Sequence, residues 1–149
     1  MAIRYVHTNL IARDWQALAA FYVQVLGCTP VPPERDLSGD WFDAATGIAR
    51  AHVAGMHLRL PGHGDAGPTL EIFSYDGEAP RPHMQPDTPG LGHLAFLVDD
   101  VASVSEAVLA GGGTAVGKCV SHDVPGVGTL TFQYLRDPEG NILELQSWT

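Results

Sequence analysis

Along the chain, apolar positions recur with a period of two, then at helical spacing, then of two again, and the whole succession occurs twice. Residues 4–11 place Val6, Thr8 and Leu10 on one face and Tyr5, His7 and Asn9 on the other, the alternation of a half-buried strand. Trp15, Leu18, Phe21, Tyr22, Val25 and Leu26 then fall on one helical stripe, with Asp14 as cap and Gly27 as stop, so the spacing predicts a helix over 14–26. Residues 28–31 begin a strand that Pro32-Pro33 is expected to end. Residues 36–47 read as a polar loop holding a short turn over 41–45. Strands are expected over 50–60 and 69–75, joined by the glycine-rich stretch 61–68.

Four prolines, Pro80, Pro82, Pro86 and Pro89, mark a linker near 77–90, after which the pattern restarts. Residues 92–98 form an apolar strand. Asp99 and Asp100 can cap a helix with Val101, Val104, Ala107 and Val108 on its core face, and Gly111-Gly112-Gly113 stops it. Strands are expected over 114–120, 129–135 and 142–148. A loop is expected over 121–128 and a tight turn over 137–141. Both halves read strand–helix–strand–strand–strand. The economical reading is an α+β fold of two tandem βαβββ modules, about 1–76 and 91–149, making one domain over 1–149.

Composition narrows the function. The 149 residues are 45% hydrophobic, enough for a core, and no apolar run reaches the roughly 20 residues a membrane span requires. The first residues lack the apolar stretch of a signal peptide, so the reading is a cytoplasmic protein. Eight Lys+Arg against seventeen Asp+Glu give a net charge of −9, which disfavours nucleic acid as a partner. The single lysine, Lys118, leaves few cations for polyphosphate substrates. Cys28 and Cys119 read as free, space-filling thiols.

The chemistry sits at matched places in the two halves. The first strand of each carries a histidine, His7 and His93, and the last carries a glutamate, Glu71 and Glu144. A glutamate inside an apolar strand stands either on a solvated face or in a buried place where it needs a partner or a metal. Taken singly, each of the four has an ordinary structural reading. Their recurrence points to a cation site, and two imidazoles with two carboxylates suit Zn, Ni, Co, Mn or Fe(II).

The chain resembles the vicinal oxygen chelate superfamily, which includes glyoxalase I, methylmalonyl-CoA epimerase, extradiol dioxygenases and the bleomycin- and fosfomycin-resistance proteins. The runs that carry the likeness are Val6-His7-Thr8-Asn9-Leu10, Ala20-Phe21-Tyr22-Val23-Gln24-Val25-Leu26-Gly27, Gly90-Leu91-Gly92-His93-Leu94-Ala95-Phe96 and, most specific, Leu135-Arg136-Asp137-Pro138-Glu139-Gly140-Asn141-Ile142-Leu143-Glu144-Leu145. The resemblance implies one open, barrel-like mixed sheet around a central divalent ion held by His7, Glu71, His93 and Glu144. It implies a homodimer and a small-molecule substrate whose neighbouring oxygens the ion chelates. The reaction class it implies is that of isomerases, lyases and epimerases that move a proton next to a carbonyl through an enolate-like intermediate; the base is Glu144 or Glu71, with Glu144 preferred and Glu71 as its partner on the opposite side.

Two alternatives stand beside that reading. An Fe(II) extradiol dioxygenase would use His7, His93 and Glu144, with Tyr134 in place; against it, Glu71 would fill a fourth position and no histidine stands at a short distance before Tyr134. A non-enzymatic protein that binds a small molecule or antibiotic would need no metal. For a substrate carboxylate the available cations include Arg13, Arg35, Arg50 and Arg59, and the sequence singles out none. His52 and His57 lie five apart on one expected strand, on opposite faces, so at most one points into a site.

Overall fold

In the computed structural model, which describes residues 2–77 and 79–149, the chain forms two compact units divided between Pro80 and Arg81. Met1 of the first expected module and Glu78 of the expected linker lie outside the described residues.

The first unit contains β1 (His7–Ile11), α1 (Trp15–Leu26), β2 (Thr29–Ser38), α2 (Asp40–Thr46), β3 (His52–Arg59) and β4 (Thr69–Tyr75). The second contains β5 (Leu94–Leu97), α3 (Val101–Ala110), β6 (Thr114–Ala115), β7 (Val120–Val124), β8 (Gly128–Arg136) and β9 (Ile142–Trp148). Strand pairing stays inside each unit and gives two open mixed sheets, in the orders β1-β4-β3-β2 and β5-β9-β8-β6, with β7 also on β8. In both, the first strand runs parallel to the last, and the remaining pairs are antiparallel. The expected α+β repeat is the observed fold.

The helices form where capping chemistry and periodicity agree. Asp14 accepts from the Ala17 N–H at 3.0 Å, and Gly27, in the left-handed region at φ 69°, closes α1. The face of α1 that carries Leu18, Phe21, Tyr22 and Leu26 is buried. Asp100 accepts from the N–H groups of Ala102 and Ser103 at the start of α3. The buried stripe of α3 is Val101, Ser105 and Val108; Ala107, expected in the core, is exposed, and Val104 is only half-buried.

Three local expectations fail. Pro32-Pro33 does not end β2, which continues to Ser38 after a register shift between Val31 and Arg35. A strand at the margin of its sheet tolerates residues that cannot donate to the ladder. The loop expected over 36–47 instead completes β2 and forms the helix α2, whose Phe42 packs on Ala51, Val53 and Phe73. The strand expected over 114–120 breaks into β6 and β7, and β7 uses residues expected to be loop. Because β6 and β7 pair successive stretches of β8, they together match β2 of the first unit. Nor is the expected linker wholly free: Arg81 donates to Asn141 Oδ1 at 2.6 Å, and Arg136 donates to the Met84 carbonyl at 2.6 Å.

Candidate metal centre

The register of the strands sets the site. In β4, Glu71 pairs with Asn9 of β1 on one side and with His57 of β3 on the other. In β9, Glu144 pairs with Ala95 of β5 and with Tyr134 of β8. The two glutamates are therefore register equivalents. So are His7 and His93, each two residues before the partner of its glutamate, and so are His57 and Tyr134.

In the first unit, Glu71 is mostly buried, with 17% of its side chain exposed. Its Oε2 lies 2.7 Å from His57 Nε2, and its Oε1 lies 3.6 Å from His7 Nε2. Asn9 Nδ2 donates to Oε1 at 2.9 Å. An ionised carboxylate only accepts, so His57 Nε2 carries the proton. His57 Nδ1, 2.9 Å from Thr69 Oγ1, then accepts from that hydroxyl. Burial lowers the pKa of the His57 ring below the ordinary imidazole value, against the opposing pull of Glu71. The His7 and His57 rings meet edge-on with centroids 5.4 Å apart. His7, His57 and Glu71 offer donor atoms that all lie within 4.8 Å of one another. Such a cluster suits a divalent transition ion, with His57 a ligand only if Nε2 gives up its proton and otherwise the partner that orients Glu71.

In the second unit, His93 Nε2 lies 2.8 Å from Glu144 Oε2, and Glu144 is 13% exposed. Tyr134 packs against the His93 ring with centroids 5.1 Å apart. Its hydroxyl donates to Glu144. Burial first, then the negative charge of Glu144, raises its pKa above the ordinary phenol value.

Each sequence-expected pair thus meets inside its own unit, His7 with Glu71 and His93 with Glu144. His57 was not among the expected site residues. Its spacing from His52 places the two on opposite faces, and only the β3–β4 register shows that His57 is the one beside Glu71. His52 points elsewhere, between Asp76 and Asp36, at 2.7 Å from each.

Gly55, two residues before His57, is opposite Phe73. A Cβ there would stand 2.0 Å from the Ile72 carbonyl oxygen and 2.4 Å from the Phe73 ring, so only glycine fits this close approach.

The family model described as Glyoxalase/Bleomycin resistance protein/Dioxygenase superfamily matches residues 4–145. An uncharacterised protein of Escherichia coli K12, YaeR, is 29% identical over 141 residues, spanning 93% of this chain and 92% of that one. Among solved structures, a glyoxalase family protein from Bacillus cereus superposes with a TM-score of 0.84 at 16% identity, covering 99% of this chain and 95% of that one. A variant of the fosfomycin resistance protein FosX from Listeria monocytogenes, in complex with Mn(II) and 1S,2S-dihydroxypropylphosphonic acid, superposes with a TM-score of 0.60 at 16% identity, covering 100% and 95%. These two likenesses are of fold.

Proposed function

The chain belongs to the Glyoxalase/Bleomycin resistance protein/Dioxygenase superfamily, and from that premise we propose that it is a metal-dependent isomerase, lyase or epimerase acting on a small molecule with neighbouring oxygens. The observation that carries this reading is the carboxylate–imidazole pair at equivalent register in both units, Glu71 with His7 and Glu144 with His93. The proposed ligands are His7 with Glu71 in the first unit and His93 with Glu144 in the second, for a divalent ion drawn from Zn, Ni, Co, Mn and Fe(II). When bound, such an ion supplies Lewis-acid stabilisation of negative charge on adjacent substrate oxygens.

The chain's own groups do the rest. A Glu144 carboxylate oxygen takes the proton next to the substrate carbonyl, and the Tyr134 hydroxyl, which donates to that carboxylate, keeps it oriented. His57 and Asn9 hold Glu71 from two sides, so its carboxylate is fixed before a ligand arrives.

A second reading, ring cleavage by an Fe(II) dioxygenase, is favoured by one feature, the Tyr134–His93–Glu144 cluster. Elemental analysis and solvent-exchange NMR separate the two. The first reading expects about one ion per chain and metal-dependent incorporation of deuterium next to the carbonyl of a 2-oxoaldehyde–thiol adduct or acyl thioester. Glu71→Ala should abolish stoichiometric metal. His57→Gln should weaken metal binding by about 10–100-fold, as loss of a ligand-orienting partner does. Oxygen uptake with catechols and Fe(II), without exchange, would replace the first reading by the second. A chain that takes up no metal and still binds small molecules would overturn both.

A further inference from the structure

We propose that the first unit holds the anionic group of a small acid in a cavity beside His57, gripped by Arg35 and Arg59 with Arg4 at its rim. The proposal rests on the reading above only for the molecule to which that group belongs.

The cavity has a volume of about 440 Å³, and its lining includes Arg4, Arg35, His57, Arg59, Asp65 and Thr69. Three of the chain's eight Lys and Arg residues thus face one space in a protein of net charge −9. Asp65 is the one carboxylate in the lining, which leaves the wall two positive charges in excess, three less one. Among the described residues, none of the three arginines forms an ion pair with a carboxylate. Each guanidinium is instead anchored by a main-chain carbonyl: Arg4 donates to Ala66, Arg35 to Pro33 and Arg59 to Gly67. That contact fixes the head group without neutralising it, and the rest of the five-donor fork remains for a ligand.

Position gives the size of the ligand. Arg59 pairs with Thr69 just as His57 pairs with Glu71, so Arg59 lies on the same sheet face as Glu71 and two residues along the strand. Two residues of strand span roughly 7 Å. The fitting molecule is a short acid whose chelating oxygens and anionic group are separated by about that length. A carboxylate, phosphonate or phosphate all match the fork.

Calorimetric titration of the metal-stripped full chain with inorganic phosphate, methylphosphonate and malonate, at constant ionic strength, tests the pocket. Saturable binding of at least one anion is expected. A preference for phosphate or methylphosphonate identifies a tetrahedral group, and a preference for malonate a carboxylate. Arg35→Gln and Arg59→Gln should each weaken binding about tenfold or more, Asp65→Asn should tighten it about three- to tenfold, and Lys118→Gln should leave it unchanged. Asp65→Asn keeps the test alive should an arginine variant fail to fold. No saturable binding of any of the three anions, or binding indifferent to all three lining substitutions, overturns the proposal. Since the assay contains no metal, a failed metal reading leaves this result standing; a chain that takes metal but no anion refutes this inference alone.

Discussion

Replacing Gly55 by alanine adds one methyl group at a place with no room for it. Its Cβ would lie 2.0 Å from the Ile72 carbonyl oxygen, a main-chain atom in the neighbouring strand, and 2.4 Å from Phe73 Cδ1. The ring could swing aside, but it is buried against Phe42, Ala51 and Val53. The carbonyl could move only by distorting the β3–β4 ladder. Overpacking of this kind costs about 1–3 kcal/mol, and a clash with main chain belongs at the upper end. For a chain of this length about 3 kcal/mol corresponds to a fall in Tm of roughly 6–12 °C. Gly117→Ala is the matched control, since a Cβ there meets nothing within 4 Å. Its Tm should stay within about 2 °C of the parent, or rise slightly, because alanine narrows the unfolded ensemble. Thermal unfolding of the two variants side by side, followed by circular dichroism, measures the difference. Equal Tm values would refute the argument that β3 and β4 approach one another closely at the step before His57.

Two more outcomes follow from titratable groups. His52 sits between Asp76 and Asp36, whose hydrogen bonds, Asp76's first, raise its pKa above the ordinary imidazole value. The stabilisation is therefore complete below about pH 6.5, the unfolded-state value, and fades as pH climbs through the raised folded value. Tm measured from pH 5.5 to 8.5 should decline on that limb, and the decline should flatten in His52→Gln; an unchanged slope would show that the two carboxylates do not act on this ring. Burial pushes the Cys28 thiol up to about 11, whereas Cys119 is exposed. A chromogenic thiol reagent at pH 8 should titrate one thiol per native chain and two in denaturant; two fast thiols in the native protein would contradict the buried setting of Cys28.

Much of the architecture is legible from periodicity and capping alone. Asp14 and Gly27 bracket α1, and Asp100 opens α3, because a side-chain acceptor and a left-handed glycine satisfy helix ends whatever the tertiary context. The four histidine and glutamate positions are legible for a different reason: a duplicated strand order repeats the same cross-strand neighbours. What escapes local reading depends on partners distant in sequence. Pro32-Pro33 looks like a strand end, and only its place at the sheet margin makes it harmless. The seven residues of α2 are too few to show a helical period. His57 and Tyr134 acquire their significance from register, fourteen and ten residues before their glutamates, and those two spacings depend on hairpin lengths that no pattern of polarity fixes. Arg35 and Arg59 likewise become neighbours of one cavity only through the pairing of β2 with β3.

Sheet order also sets how stiffly each proposed ligand is mounted. Glu71 and Glu144 stand on β4 and β9, which are laced to a neighbour along both flanks, while His7 belongs to β1 and His93 leads into β5, each with a single neighbour in its own sheet. A strand tethered on one flank yields at lower energy than one tethered on two. On the proposed ligand assignment, the carboxylate of each unit is the anvil and its imidazole the adjustable jaw, a mounting suited to cations of unequal radius.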